Sequence, residues 1–228
     1  MNLSELSKKS FAVYGLGLTG LSVINHFKKH SIKDFCVWDD DKGKRLKFKK
    51  YLSKDNFSKK LDKVDHIVIS PGINLKKTKF SNQLQKNKKK IITDLDIFYQ
   101  QNIKGKTIVV TGTNGKSTTC KIIEHILKKN NKEVQVGGNI GKPILNLNIK
   151  KKSFYVIEAS SYQLSNSKNI KPNYALILNI SKDHLDWHGN FNNYRNAKMK
   201  IFSKQDKFDY ALLRDKNLIN IFKKNKFS

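Results

Sequence analysis

Short apolar runs alternate along this chain with stretches in which apolar residues recur at helical spacing. Most of the runs are continuously apolar, which is typical of parallel strands that are buried on both faces. Strands that alternate with helices predict an α/β fold built on parallel sheets. The predicted strands are residues 11–14, 35–38, 66–69, 91–92, 108–110, 134–136, 154–157, 174–178 and 208–213, and the predicted helices are 21–27, 78–87, 94–98, 116–130 and 192–202.

The alternation is interrupted at residues 102–106, where the sequence Asn-Ile-Lys-Gly-Lys indicates a hinge. A chain of 228 residues is long enough to bury a sizeable core and to form one or two domains. We therefore predict a first α/β domain over residues 1–103 and a second over residues 104–228.

Residues 108–119 combine a β-branched run, a glycine turn and a helical pattern. Such a turn directs backbone N–H groups and a helix N-terminus at one point, which favours a polyphosphate there. Lys116 can reach the terminal phosphates, and the Ser117 hydroxyl can ligate Mg²⁺. The usual pattern has its first glycine where this chain has Val110, so the match is Gly-Lys-Ser with a shifted first glycine, Gly112. The alternative is an ordinary glycine turn before an amphipathic helix.

A second glycine pattern, Gly15, Gly17 and Gly20, lies between the first predicted strand and its helix. The next strand ends in Asp39, Asp40 and Asp41, where an acid would meet a ribose in a dinucleotide-binding domain. These features predict a Rossmann-like half-domain, and the alternative is a tight strand-to-helix turn. Residues 70–72 end the third strand, at the sheet edge where open parallel sheets bind ligands.

Three polar residues of the second half are candidates for a site. Glu158 ends a buried strand beside the phosphate loop, where a Mg²⁺ ligand belongs, although such a glutamate is most often solvated. His184 follows the end of the next strand, and the alternative for it is a turn residue. Lys198 lies in a predicted helix and would ordinarily belong to a solvated face.

The composition is strongly basic, with 46 Lys and Arg against 18 Asp and Glu and a formal net charge of +28. Such an excess can indicate nucleic acid or an anionic membrane surface as a partner. Here the lysines are spread over helices, loops and termini, so they form no stripe for nucleic-acid phosphates to follow. We therefore expect no nucleic-acid partner.

Two cysteines, Cys36 and Cys120, lack metal-ligand spacing and are expected to be reduced thiols in a cytoplasmic protein. No apolar run approaches the length of a membrane span. The chain is therefore expected to be soluble, with no membrane partner.

The second half carries the sequences Thr-Gly-Thr-Asn-Gly-Lys-Ser-Thr (111–118), Glu-Ala-Ser-Ser-Tyr-Gln-Leu (158–164) and Leu-Asn-Ile-Ser-Lys-Asp-His-Leu-Asp (178–186). Together these motifs resemble the Mur ligases, ATP-dependent enzymes that form amide bonds in peptidoglycan synthesis. Members that add D-glutamate are similar to this chain at Gly-Leu-Gly-Leu-Thr-Gly (15–20), Ser-Pro-Gly-Ile (70–73), Thr-Asp-Leu-Asp-Ile-Phe (93–98) and Gly-Gly-Asn-Ile-Gly (137–141).

The resemblance implies a Rossmann-like first domain that holds the UDP part of a muramoyl substrate rather than NAD, followed by a P-loop ATPase-like central domain. Catalytic roles are implied for Lys116, His184 and Lys198. Contacts to the UDP-muramoyl substrate are implied for Leu18, Thr19, Gly72, Asn139, Ser160 and His184. The ATP-binding residues implied are Gly112, Thr113, Asn114, Gly115, Lys116, Ser117 and Thr118.

Two magnesium ions are also implied, one held by Ser117 and Glu158 and the other by His184 and Lys198. Lys198 matches a family lysine that is carbamylated, and carbamylation turns a cation into an anion that can support a metal. The implied reaction joins D-glutamate to UDP-N-acetylmuramoyl-L-alanine through an acyl phosphate, in a monomer in the cytoplasm.

Two departures from the family pattern matter. Asp40 and Asp41 stand where relatives tend to place a threonine and a basic residue near the uracil or diphosphate. The family's third, C-terminal Rossmann-like domain has no counterpart in these residues, and the central domain lacks its last elements. We therefore expect an N-terminal part of the enzyme, without ligase activity alone.

Other functions explain part of the chain. Another muramoyl ligase or a folylpolyglutamate synthetase would use the same phosphate loop, but a folate enzyme needs no uridine-binding domain before it. An NAD-dependent oxidoreductase would explain residues 11–41 and leave Lys116, Glu158 and His184 without a role. A basic nucleic-acid-binding ATPase would explain the charge.

Overall fold

The structure is a computed structural model that describes residues 3–53, 56–101 and 103–224. The chain divides into two compact units, Met1–Gln101 and Asn102–Ser228. Asn102, which begins the predicted hinge, lies outside the described residues.

The first unit is built on a parallel sheet of four strands, β1 (Phe11–Tyr14), β2 (Phe35–Trp38), β3 (His66–Ile69) and β4 (Ile91–Ile92), in the order β2-β1-β3-β4. All four strands were predicted from their apolar runs, and the prediction is confirmed. The helices are α1 (Leu3–Leu6), α2 (Leu18–Lys29), α3 (Lys42–Leu46), α4 (Phe57–Lys63), α5 (Ser81–Lys86) and α6 (Asp94–Tyr99), with 3₁₀ turns at Lys49–Tyr51 and Lys88–Lys90.

Aromatic side chains fill one side of this sheet. Tyr14, Phe57 and Phe80 are buried, and Trp38 packs against them. Their ring centroids lie 5.3 Å apart for Phe57 and Phe80 and 5.9 Å apart for Tyr14 and Phe57. Burial of each such ring contributes about 1.5–3 kcal/mol, so this cluster is a main source of the unit's stability.

Helix α5 is shorter than the predicted helix 78–87, and Thr78 lies in the turn before it. Its hydroxyl bonds to the Tyr14 hydroxyl and accepts from the Phe80 backbone N–H, 3.3 Å away. Helix α6 begins as predicted, with Thr93 as its N-cap and Asp96 completing a capping box.

The second unit is built on a parallel sheet of five strands, β5 (Lys106–Thr111), β6 (Val134–Gly138), β7 (Phe154–Glu158), β8 (Tyr174–Ile177) and β9 (Tyr210–Leu213), in the order β6-β7-β5-β8-β9. The phosphate-loop strand β5 is central, so turns after β7 and β8 lie on either side of its carboxyl end. The helices are α7 (Lys116–Lys129), α8 (Ser161–Asn166), α9 (Leu185–His188), α10 (Phe191–Met199) and α11 (Lys216–Lys224), with 3₁₀ turns at Ile144–Asn146 and Lys200–Phe202.

Helix α7 covers one face of this sheet. Cys120 is buried there, and Ile123 and Leu127 pack beside it, as the helical spacing predicts. Ile122 and Ile126 lie on the outer side of α7 and are 54% and 53% exposed.

Strand β9 forms one edge of the sheet and is largely exposed. Tyr210 is 61% exposed although its ring stacks on Tyr174 at 5.2 Å, and nearby Phe208 is 75% exposed. Cys36 and Cys120 are buried and free. Within the ranges that the structure covers, no helix has the length and apolar character needed to cross a membrane.

Candidate active site

The loop between β5 and α7 has the geometry of an anion cradle. Gly115 is the N-cap of α7 with φ of +82°, a left-handed conformation that favours glycine. A Cβ at Gly112 would lie 3.2 Å from the Leu178 Cβ and 3.3 Å from the Asn114 carbonyl oxygen. Gly112 is therefore closely packed, and the loop leads directly into the N-terminus of α7, which favours negative charge.

Two lysine side chains converge on the carbonyl oxygen of Gly112. Lys116 Nζ donates to this oxygen at 3.0 Å and to the Thr113 carbonyl at 2.8 Å. Lys198 Nζ donates to the same Gly112 oxygen at 2.7 Å. The partners of Lys116 in the described residues are neutral carbonyls. A phosphate group carries a full negative charge and would compete with them for the Lys116 ammonium group.

Lys198 is 2% exposed, so the interpretation of this residue as part of a solvated face is wrong. Tyr194, Lys198 and Phe202 recur at helical spacing, and the face that they share is buried. Burial, and then the charge of Lys116, lowers the pKa of the Lys198 amine from 10.5 to about 7. The neutral, nucleophilic amine is thus a major species near neutral pH.

Glu158 is also buried, 2% exposed, so the solvated alternative for it is wrong as well. Its two carboxylate oxygens each accept one hydrogen bond. Ser117 Oγ donates to Oε2 at 2.6 Å, and Asn139 Nδ2 donates to Oε1 at 2.9 Å. Strand register places Glu158 opposite Val110 and Gly138, which brings the start of α7 and the turn after β6 to one carboxylate.

The turn after β8 fastens the phosphate loop at two points. Asn179 Oδ1 accepts from the Asn114 N–H at 2.9 Å, while its Nδ2 donates to the Asn114 carbonyl at 3.2 Å. Thr113 Oγ1 accepts from the Ser181 N–H at 3.0 Å and lies 3.0 Å from the Tyr194 hydroxyl. Sequence reasoning missed Asn179 and Tyr194 as loop contacts, since neither belongs to the glycine pattern.

His184 is the N-cap of the short helix α9. Its backbone has a left-handed conformation, with φ of +52°. Its backbone N–H donates to Asp183 Oδ1 at 2.8 Å, and its ring packs on Tyr162 with centroids 4.8 Å apart. The Tyr194 ring lies 6.1 Å from the His184 ring and 4.7 Å from Lys198 Nζ. Tyr194 therefore contacts both residues of the predicted second metal pair.

Ser160 has a clear local role as the N-cap of α8. Its Oγ accepts from the Gln163 N–H at 3.3 Å, and Gln163 Oε1 accepts from the Ser160 N–H at 3.1 Å. This capping box keeps Ser160 8% exposed at the carboxyl end of β7. Contact between Ser160 and a substrate stays a prediction.

In the first unit, the glycine loop after β1 is held against the turn after β3. Ser70 Oγ donates to the Gly15 carbonyl at 2.8 Å, and a Cβ at Gly20 would lie 1.9 Å from that same oxygen. The predicted contacts Leu18, Thr19 and Gly72 follow these two turns, with Leu18 78% exposed and open space around Gly72.

The three acids after β2 act within the protein. Asp39 accepts from the Leu16 N–H at 2.7 Å and from the Asp41 N–H at 2.9 Å, so it holds the glycine loop. Asp40 accepts from the Tyr14 hydroxyl at 2.6 Å, and Asp41 caps α3. The acids at the position expected to meet a ribose are therefore engaged within the first unit.

Residues 110–228 match the model of the Mur ligase middle domain. The chain belongs to the Mur ligase family. Residues 9–93 match a second model of this family, the Mur ligase MurD-like N-terminal domain. The phosphate loop, Glu158 and Lys198 thus lie in the middle domain of a Mur ligase.

Two curated relatives carry the same name. The UDP-N-acetylmuramoylalanine--D-glutamate ligase of Rickettsia prowazekii is 37% identical over 94% of this chain and 48% of its own length. The enzyme of the same name from Rickettsia bellii is 39% identical over 92% of this chain and 47% of its own length. This Mur ligase chain therefore spans about half the length of the curated relatives it matches.

A solved Mur ligase has the same fold. The UDP-N-acetylmuramate:L-alanyl-gamma-D-glutamyl-meso-diaminopimelate ligase from Neisseria meningitides matches 95% of this chain and 75% of its own, with a TM-score of 0.56 and 17% identity. The predicted α/β class with parallel sheets is confirmed.

Proposed function

We propose that this chain supplies the uridine-binding and ATP-binding units of a ligase that joins D-glutamate to UDP-N-acetylmuramoyl-L-alanine in the cytoplasm. The observation that carries the proposal is the group of Lys116, Ser117 and Glu158 at the phosphate loop. The curated relatives, which are named for this reaction, support the choice of substrates.

In this proposal Gly112, Thr113, Asn114, Gly115, Lys116, Ser117 and Thr118 bind the phosphates of ATP. The substrate carboxylate attacks the γ-phosphorus and releases ADP, which gives an acyl phosphate. The neutral amine of D-glutamate then attacks the acyl carbon, loses a proton and displaces phosphate to form the amide. Two anions must approach each other in the first step. Lys116 offsets that repulsion, and its release from two loop carbonyls costs little, since both carbonyls are neutral acceptors.

The donor set at Ser117 and Glu158 fits Mg²⁺, which prefers oxygen ligands and is usually held by one or two carboxylates together with phosphates. When bound there, the ion would offset charge on the β- and γ-phosphates. Asn139 keeps the second carboxylate oxygen of Glu158 in place by its hydrogen bond.

We further propose that Lys198 becomes carbamylated and, with His184, holds a second Mg²⁺. The neutral amine nitrogen would bond to the carbon of CO₂ and release a proton, which leaves an anionic carbamate. Support comes from the burial of Lys198 and its lowered pKa. Incubation with ¹³C-bicarbonate should yield a carbamate resonance that is missing in Lys198→Met.

Leu18, Thr19 and Gly72 of the first unit are proposed to contact the UDP part of the substrate, and Asn139, Ser160 and His184 of the second unit the muramoyl part. NAD is disfavoured because Asp39, Asp40 and Asp41 each accept a hydrogen bond from within the protein.

Calorimetric titration of the 228-residue chain with UDP, MgADP and NAD tests the proposal. We expect binding of UDP and MgADP and none of NAD. Binding of NAD without UDP would favour an oxidoreductase instead. The amino acid is tested by joining this chain to the C-terminal half of the Rickettsia prowazekii relative and measuring phosphate release. Release with L-lysine or diaminopimelate but not with D-glutamate would overturn the assignment.

Replacement of Glu158 by glutamine is expected to weaken MgADP binding by about 10- to 100-fold, since a metal ligand or its supporting group is lost. Binding of ADP without Mg²⁺ should change little. Glu133→Gln is the matched control, because Glu133 is an exposed carboxylate of the same unit. Equal Mg²⁺ dependence in Glu158→Gln and the original chain would remove Glu158 from the metal site.

A further inference from the structure

A buried contact between His188 and Ser161 lies beside the candidate site, and no role is predicted from the sequence for either residue. His188 Nε2 lies 3.0 Å from Ser161 Oγ, and the two residues are 6% and 2% exposed. Each gives the other a polar partner in a place that excludes water, so the contact is costly to break.

This contact joins two segments that carry candidate substrate contacts. Ser161 directly follows Ser160 at the start of α8. The backbone N–H of His188 donates to the His184 carbonyl at 3.0 Å, which closes the turn of α9. A hydrogen bond between His188 and Ser161 therefore ties the Ser160 end of α8 to the turn that presents His184.

Ring packing strengthens the same tie. The His188 ring stacks on the Tyr162 ring, with centroids 5.8 Å apart and an angle of 11° between the planes. The Tyr162 ring also packs against the His184 ring, with centroids 4.8 Å apart. The His188 ring also packs edge-to-face against the Tyr194 ring, with centroids 5.3 Å apart. The backbone carbonyl of His188 accepts from Asn193 Nδ2 at 2.9 Å, which fixes α9 to the start of α10.

His184 depends on such support. It is held in a left-handed conformation that a residue with a Cβ adopts at a cost, and its side chain is 41% exposed. A ring in this position keeps one orientation only if its neighbours hold it.

We propose that His188 is a positioning residue that sets the spacing between Ser160 and His184, and thereby the fit of the muramoyl part of the substrate. The inference rests on the proposed function, because it concerns the acid substrate of that reaction. His188 itself touches no reacting atom in this proposal.

Titration of His188→Ala with three ligands tests the proposal: UDP-N-acetylmuramoyl-L-alanine, UDP and MgADP. Loss of one buried hydrogen bond and its packing should weaken binding of the muramoyl substrate by about 10-fold. Affinities for UDP and MgADP should stay within about 2-fold, a difference of only about 0.4 kcal/mol. A residue that served stability alone would not separate the three ligands.

His188→Gln should restore most of the affinity, since its terminal amide can reach the position of Nε2. Ser161→Ala should reproduce the selective loss, and the double variant should lose no more than either single one. His125→Ala, at an exposed histidine of α7, should bind all three ligands normally.

Unchanged affinity for the muramoyl substrate in both His188→Ala and Ser161→Ala would overturn the inference, as would an equal loss for all three ligands. Failure of the unaltered chain to bind UDP and MgADP would instead overturn the proposed function. Titration of the unaltered chain therefore distinguishes a failure of the inference about His188 from a failure of the proposed function.

Discussion

Replacement of Lys116 by alanine is expected to weaken MgATP binding by about 30- to 100-fold, which corresponds to about 2–3 kcal/mol for hydrogen bonds from a charged donor. In the structure the ammonium group bonds to the carbonyl oxygens of Gly112 and Thr113. A triphosphate offers the Lys116 ammonium group a charged acceptor in place of the two neutral carbonyl oxygens. Most of the energy that this side chain contributes should therefore appear as nucleotide affinity.

Calorimetric titration of the 228-residue chain with MgATP gives this affinity directly. Lys121→Ala is the matched control, because Lys121 is an exposed lysine of the same helix that lies farther from the glycine loop. Equal affinities for Lys116→Ala and Lys121→Ala would mean that the glycine loop does not bind the nucleotide phosphates.

Replacement of Lys198 by methionine is expected to stabilise the second unit by about 1–3 kcal/mol at pH 6, in buffer free of bicarbonate. The pKa of this amine falls from 10.5 to about 7 on folding, because burial opposes its charge. At about 1.4 kcal/mol per pKa unit, this change in pKa sets an upper bound of about 5 kcal/mol on the stabilisation by Lys198→Met. Methionine fills similar space, and the Gly112 carbonyl that Lys198 leaves still accepts from Lys116.

The direction in which folding stability changes with pH follows from the charge of the Lys198 amine in the folded and unfolded chains. Below pH 7 the amine is charged in both the folded and unfolded chains, so the full cost of burying the charge is present. Between about pH 7 and 10.5 the unfolded chain binds the extra proton, and the stability of the folded protein rises with pH. The advantage of Lys198→Met over the original chain should therefore shrink across this range.

Urea unfolding of both proteins at a series of pH values measures this difference. Lys204→Met serves as the control, since Lys204 is an exposed lysine just after the 3₁₀ turn that follows α10. A pH-independent difference between Lys198→Met and the original chain would show that Lys198 keeps its charge in the folded protein.

The strands could be predicted because buried parallel strands are continuous apolar runs, and the turns after them because glycine and polar residues interrupt those runs. The start of α7 at Lys116 and the capping box at Thr93 were predictable for the same local reasons. The end of β7 at Glu158 was also correct.

Contacts between distant segments could not be predicted in this way. The burial of Lys198 depends on how α10 packs beside the phosphate loop, and lysine is usually exposed. Asn179 and Asn114 are far apart in sequence and meet only because β8 pairs with β5. One of the acids Asp39 to Asp41 was expected to face a ribose, whereas the fold supplies partners within the protein, such as the Leu16 N–H for Asp39.

The open side of β9 has a practical consequence for work with this protein. In the described part of the chain β9 pairs only with β8 and the Phe208 and Tyr210 rings are exposed, so in a preparation of these 228 residues the outer backbone groups of β9 would favour strand addition by another copy. The net charge of +28 opposes such aggregation through long-range repulsion. Added salt shortens that repulsion from about 30 Å at 0.01 M to about 10 Å at 0.1 M, so higher ionic strength should promote precipitation.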